Sequence, residues 1–124
     1  MTETYVSFDV AKLLKEKGFD EHCFGAYTET NHNITMFTGQ IKNSEYGDAM
    51  YTAPTHQMTM AWLREVHHIF IEIGTSIDLN GDYHFRYAIL NKECKYVRRG
   101  YTSFDWNYED AVEAAIKYCL ESLI

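Results

Sequence analysis

The chain has 124 residues, the size of one domain, and it can bury a hydrophobic core without a disulfide or a metal. Its formal net charge of −7 argues against general nucleic-acid binding, because proteins that neutralise phosphates usually carry a basic face. Its three cysteines are widely spaced and form no CxxC pair, which excludes a disulfide framework and a zinc site of ordinary spacing. We predict a single globular domain over residues 1–124.

Neither the start of the chain nor its apolar stretches predict an association with a membrane. The N-terminal residues MTETYVSFDV contain no basic region followed by an apolar run, so we predict no signal peptide. No apolar stretch approaches the length that a bilayer-spanning helix requires. We therefore expect a cytoplasmic protein with reduced thiols and no membrane partner.

The first part of the chain predicts a helix followed by a hairpin. Residues 7–18 have the apolar spacing of a short helix, with Ser7 as the cap at its start and Gly18 as the residue that ends it. Residues 22–28 predict a strand, and a turn rich in asparagine follows them. Residues 34–40 predict a second strand, because they contain β-branched and aromatic residues. Residues 41–52 show no clear period and predict a loop.

A second helix, from Pro54 to about Val66, is predicted by a broad apolar stripe and by a proline that suits a first turn. Residues 68–74 and 83–90 then alternate as strands around Asn80-Gly81, a strong turn signal. Residues 93–105 predict a further strand with a break at Gly100.

The last predicted helix runs from Tyr108 to about Leu123, with Asn107 as its cap. Its apolar residues recur at steps of three and four, so one face must be buried. The predicted order is α-β-β-α-β-β-β-α. Short turns between strands favour an α+β fold in which helices pack on one face of an antiparallel sheet.

The central hairpin carries the best candidate for a polar site. Alternation places Ile69, Ile71 and Ile73 on one side of the sheet, and it places four polar side chains on the other: His68, Glu72, His84 and Arg86. Two histidines and a carboxylate are suitable ligands for a divalent metal, so His68, Glu72 and His84 define a possible metal-dependent enzyme. The competing interpretation is a solvated face on which Glu72 and Arg86 form an ordinary cross-strand pair.

A basic run over residues 92–101 offers another possibility. Four cationic residues are interleaved there with two tyrosines: Lys92, Lys95, Arg98, Arg99, Tyr96 and Tyr101. Positive charge beside aromatic rings suits weak binding of single-stranded nucleic acid. Charges that protect an exposed edge strand from aggregation form the same pattern, and we prefer that interpretation.

The sequence shows none of the common catalytic or cofactor-binding motifs. It contains no GxSxG nucleophile elbow, and its seven glycines are scattered singly instead of forming a phosphate-binding loop. His56 and Gln57 are polar and could line a cleft, although such residues more often solvate the start of a helix. We predict no catalytic residue, no metal ligand and no cofactor.

Three segments resemble a family of short uncharacterised proteins from gut bacteria and their phages or mobile elements. The first is the KEKGF end of the first helix. The second is the middle helix, matched by Pro54, Thr55, Gln57, Trp62, Leu63, Arg64 and Glu65. The third is the last helix, matched by Tyr108, Glu109, Ala111, Glu113, Ala114, Ala115 and Ile116, with Asp110 in place of a second glutamate. The resemblance implies a phage-related accessory protein and supplies no catalytic residue.

These observations favour a non-enzymatic accessory protein that binds another protein or forms a homodimer. The aromatic content of 15% supports this expectation, because tyrosine and tryptophan are enriched at interface hot spots.

Overall fold

The computed structural model describes residues 4–101 and 107–124, with Tyr101 described by its backbone alone. It contains three α-helices, and each begins at a side-chain cap: α1 (Phe8–Glu16), α2 (His56–His67) and α3 (Tyr108–Ser122). The predicted caps Ser7 and Asn107 are confirmed, and Gly18 takes the left-handed conformation expected of it. Helix α2 begins two residues later than predicted, because Thr55 caps it and Pro54 therefore lies before the first turn.

Six strands form two antiparallel sheets. The first sheet has the order β2-β1-β3, from strands β1 (Cys23–Tyr27), β2 (Thr35–Ile41) and β3 (Tyr51–Thr52). The second has the order β4-β5-β6, from strands β4 (Phe70–Ile77), β5 (Tyr83–Leu90) and β6 (Tyr96–Tyr101). The α+β class and the predicted order are confirmed. The expected loop over residues 41–52 contains two short elements, a 3-10 turn at Asn43–Glu45 and strand β3. The end of the predicted strand 93–105 lies outside the described residues.

The hairpin of β4 and β5 determines which side chains face the helices. Its register pairs Ile71 with Ile89 and Ile73 with Tyr87, and these residues lie on the side that α3 covers. Tyr87 and Ile89 are buried, and Ile71 and Ile73 pack against the core. The predicted division of this hairpin into two faces is therefore confirmed for both strands.

The core lies between the helices and the two sheets. Helix α3 contributes six fully buried side chains to it, which is the largest share of any element: Ala111, Val112, Ala115, Ile116, Cys119 and Leu120. Cys119 is one of them, and it lies on the face of the helix that the spacing of apolar residues predicted to be buried. None of the three helices described here combines the length and the apolar character that crossing a membrane would need.

A polar cluster ties the starts of helices α1 and α2 to α3. Glu113 accepts hydrogen bonds from the Ser7 N–H (2.8 Å), from the Ser7 hydroxyl (3.1 Å) and from the Nε2 atom of His56 (3.1 Å). His56 is buried, so the carboxylate supplies the partner that a buried polar ring requires. His56 therefore does not solvate the start of the helix, which was the preferred interpretation of this residue.

Candidate functional site

One side of the β4-β5-β6 sheet faces away from the helices, and we call it the open face. Strand β4 contributes Glu72 and Gly74 to it, β5 contributes Arg86, and β6 contributes Tyr96 and Arg99. These residues surround a shallow concavity of about 530 Å³. The Arg99 guanidinium lies 4.2 Å from the centre of the Tyr96 ring, a favourable cation–π distance.

Glu72 and Arg86 share the open face but do not lie opposite each other. The register places Glu72 opposite Ala88, and it places Arg86 opposite Gly74. The described residues contain no ion pair between these two groups, so the predicted cross-strand pair is wrong. A Cβ atom built on Gly74 would lie 3.0 Å from the Arg86 Nε atom. The arginine side chain therefore extends over β4 toward the outer edge of the sheet.

His84 lies on the same side of the sheet and belongs to the hairpin turn. Its Nε2 atom donates to the Asp78 Oδ2 atom at 2.7 Å. The other Asp78 carboxylate oxygen accepts hydrogen bonds from the backbone N–H groups of Asn80 and Asp82. The histidine contact is the main cause that lowers the pKa of Asp78, and the backbone bonds act in the same direction. His84 therefore stabilises the turn that joins β4 to β5.

His68 does not belong to the open face. It is the cap at the end of α2, in the left-handed conformation with φ 56° and ψ 38°, and its backbone N–H bonds to the Leu63 carbonyl oxygen. Strand β4 begins only at Phe70. The prediction that His68 opens the strand is wrong, because helix α2 continues to His67 and leaves His68 for the turn.

The three candidate ligands of the metal-dependent alternative consequently do not converge. His84 lies opposite a β4 residue that is four positions from Glu72. At about 3.3 Å per residue, Glu72 and His84 are therefore about 13 Å apart along the hairpin. Within residues 4–101 and 107–124, no group of three or more His, Cys, Asp or Glu side chains could hold a metal ion. The donor arrangement gives the metal-dependent hypothesis no support.

The basic run of residues 92–101 is divided between the two faces of the sheet. Arg98 lies on the helix side, where its guanidinium is 4.7 Å from the centre of the Tyr118 ring. A side-chain hydrogen bond to Tyr87 raises the pKa of Arg98. Arg99 alone of the two arginines reaches the open face. Strand β6 is an edge strand, as the preferred interpretation of these charges predicted.

The opposite edge of this sheet, strand β4, lacks such protection. Its eight residues contain a single charged side chain, Glu72, and its last residue, Ile77, is 61% exposed. Strand β2, the other long edge among the described residues, is polar at several positions and its pairing with β1 is interrupted by an irregularity. A long, regular and apolar edge presents a template for pairing with another strand.

The hydrogen-bonding pattern shows which backbone groups of β4 face outward. Asp78 N–H bonds to the Asp82 carbonyl oxygen, so this pair is hydrogen-bonded. Because hydrogen-bonded and non-bonded pairs alternate in an antiparallel ladder, every second residue of β4 points its N–H and C=O groups away from β5. These residues are Ile71, Ile73, Thr75 and Ile77. No other described backbone group bonds to these outward positions.

A groove runs beside this edge, on the side of the sheet that the helices cover. It has a volume of about 280 Å³, and its apolar lining includes Met60 of α2 together with Ile71 and Ile73 of β4. Arg64 and Tyr108 also contribute to its wall. The side chains of a strand added to β4 would enter this groove on the helix side.

Sequence reasoning predicted the faces of the hairpin but not the status of its edges. The order of strands in a sheet depends on contacts between residues that are far apart in sequence. The sequence offered one signal for the edges, namely that β4 carries almost no charge whereas β6 is charged. The chain shows no significant similarity to any of the protein-family models, curated proteins or solved structures with which it was compared.

Proposed function

We propose that this chain is a non-enzymatic interaction module that binds a strand of another protein, or of a second copy, along the edge of β4. One observation carries the proposal: β4 presents eight regular residues with one charge, whereas the opposite edge carries Arg98 and Arg99. Charged side chains commonly prevent an exposed edge strand from pairing with another chain. An edge without such charges, in a sheet whose opposite edge carries them, therefore favours a role in strand pairing.

The chemistry of the edge supports this function. Four outward-facing residues offer both backbone donors and backbone acceptors, and each new hydrogen bond contributes about 0.5–1.5 kcal/mol net. The groove between α2 and β4, lined by both polar and apolar groups, adds a surface for the side chains of the bound strand. Main-chain bonds would supply affinity, and the groove would supply specificity.

We also propose that the module is a cytoplasmic accessory protein of phage or mobile-element origin. The origin rests on the three segments that resemble a family of short proteins from gut bacteria and their phages. Its free cysteines support a reducing compartment, since Cys23 and Cys119 are buried and Cys94 is exposed without a disulfide partner.

Site-specific photo-crosslinking in the source cell tests the proposed function. A photoreactive residue at Thr75, on the β4 edge, should crosslink to a specific protein, whereas the same residue at Val97, on the β6 edge, should not. The captured protein is then purified, and its binding is measured with two variants at one position. Thr75→Pro removes an outward N–H and should abolish binding, whereas Thr75→Val keeps that N–H and should retain it.

Equal crosslinking from both positions, or no loss of binding in the Thr75→Pro variant, would contradict the proposal. Circular dichroism of both variants serves as the control for folding. Proline is tolerated on an edge strand where its missing N–H faces solvent, so the hairpin should survive the substitution.

A second candidate is weak binding of single-stranded nucleic acid on the open face. The stack of Arg99 on Tyr96 supports it, because a cation beside an aromatic ring is a surface that such ligands use. Fluorescence anisotropy of a labelled oligothymidine at low salt tests this candidate. Binding that is absent, or that persists unchanged in an Arg99→Ala variant, would refute it.

A further inference from the structure

We infer that the strand bound by β4 is the β4 strand of a second copy, paired antiparallel about a twofold axis to give one continuous six-stranded sheet. The inference rests on the proposed function and names its partner. Three independent features of the edge fit a second copy: the length of the strand, its charges and its exposed isoleucine.

The length of β4 defines the register of the pair. Residues whose N–H and C=O groups point away from β5 must pair with one another, so Ile73 of one copy pairs with Thr75 of the other. The twofold axis then passes beside Gly74, and the full strand from Phe70 to Ile77 is used. Ile73 and Thr75 then form a hydrogen-bonded pair, and the two Gly74 residues face each other as a non-hydrogen-bonded pair, where the Cα atoms approach to about 4.5 Å and glycine leaves room.

The charges on the open face become complementary in this register. Within one copy Glu72 and Arg86 form no ion pair, and the Arg86 side chain extends over Gly74 toward the edge of β4. In the second copy, Glu72 lies two residues from Gly74. It therefore lies diagonally across the interface from the Arg86 guanidinium of the first copy. The twofold axis repeats the contact, so two acids meet two arginines, none of which forms an ion pair within the described part of its own copy.

The same register places the exposed Ile77 beside the groove between α2 and β4. Ile71 of one copy lies opposite Ile77 of the other, on the helix side of the sheet. Ile77 would therefore enter the groove lined by Met60 and Ile71, which is free in a single copy. A side chain that is 61% exposed in one copy is buried in the pair.

Charge reversal tests this assembly through its association constant. Sedimentation equilibrium of the purified chain should show a dimer. Glu72→Arg and Arg86→Glu should each raise the dimer dissociation constant by about tenfold or more, because each creates two repulsive contacts. The double variant restores opposite charges across the axis and should return the constant to near the wild-type value.

Either of two results would overturn the inference: a wild-type monomer at every concentration, or single variants that associate as well as the wild type. If either reversal disturbs the circular dichroism spectrum, the milder Glu72→Gln and Arg86→Gln variants should still weaken the dimer. An intermolecular nuclear Overhauser effect between Gly74 α protons, in a sample of mixed isotope labelling, tests the register directly.

The failure of this inference is distinguishable from the failure of the proposed function. A monomer that still crosslinks through Thr75 to another protein would refute the second copy and leave the β4 edge as an interaction surface. A dimer that the Thr75→Pro variant forms as readily as the wild type would refute pairing of two copies through β4, and retained binding of the captured protein by the same variant would refute the proposed function as well.

Discussion

Replacing Glu113 with alanine removes the carboxylate that joins α3 to the starts of α1 and α2. Three hydrogen bonds are lost at once, two from Ser7 and one from the buried His56. Bonds to a charged group contribute about 1.5–3 kcal/mol each when buried, but the Ser7 pair is exposed and contributes less. We therefore expect a loss of about 3 kcal/mol in the free energy of unfolding, much of it from leaving His56 unpaired.

Urea denaturation followed by circular dichroism measures this loss. Glu113→Gln retains one acceptor oxygen, so it should cost about 1 kcal/mol, which is less than alanine costs. Glu121→Ala is the matched control, because it removes an exposed carboxylate from the same helix and should change stability by less than about 0.5 kcal/mol. The reasoning is refuted if Glu113→Ala behaves like the control.

Three other substitutions or conditions test the packing. Gly100→Ala should destabilise the fold by about 2 kcal/mol in urea, because overpacking in a core is costly; the added Cβ would lie 1.9 Å from an atom of the buried Tyr87 ring. Cys94 has φ 60° in the turn before β6, so Cys94→Gly should relieve strain and raise stability by about 1 kcal/mol, seen as a higher thermal midpoint. Burial raises the pKa of Cys23 to about 11 and that of Cys119 to about 12. As pH rises above the ordinary thiol value of 9.0, the unfolded chain loses these protons first, so stability should fall up to about pH 12, and less steeply below about pH 11 in a Cys23→Ala variant. These accounts would be contradicted by unchanged stability of Gly100→Ala or by a lower thermal midpoint for Cys94→Gly. They would also be contradicted if stability fell with pH as steeply in the Cys23→Ala variant as in the wild type.

Local patterns predicted the elements of this fold well. The caps Ser7 and Asn107, the buried stripe of α3 and the two faces of the central hairpin all follow from spacing within about ten residues. His68 was misplaced because the helical period of α2 and the alternation of β4 overlap there. The left-handed cap that separates the two elements has no signature when a histidine occupies it.

Long-range relations could not be predicted in the same way. Glu113 bonds to Ser7 across 106 positions of sequence, and neither residue shows an unusual local pattern. The separation of Glu72 from Arg86 depends on the hairpin register, which pairs Gly74 with Arg86. The open face could therefore be predicted by composition, but its unpaired charges and the exposed edge beside it depend on tertiary structure.

Amide hydrogen exchange of the β4 edge tests the central claim most directly. The N–H groups of Ile71, Ile73, Thr75 and Ile77 have no described acceptor within the chain, so they should exchange rapidly in a single copy. We predict that their protection rises with protein concentration. The Arg99 amide on β6, which lies opposite Ala88 in a non-hydrogen-bonded pair and so points away from β5, should show no such rise. Rapid exchange of the β4 amides at every concentration, and in the presence of any captured partner, would contradict the claim that this edge binds a strand.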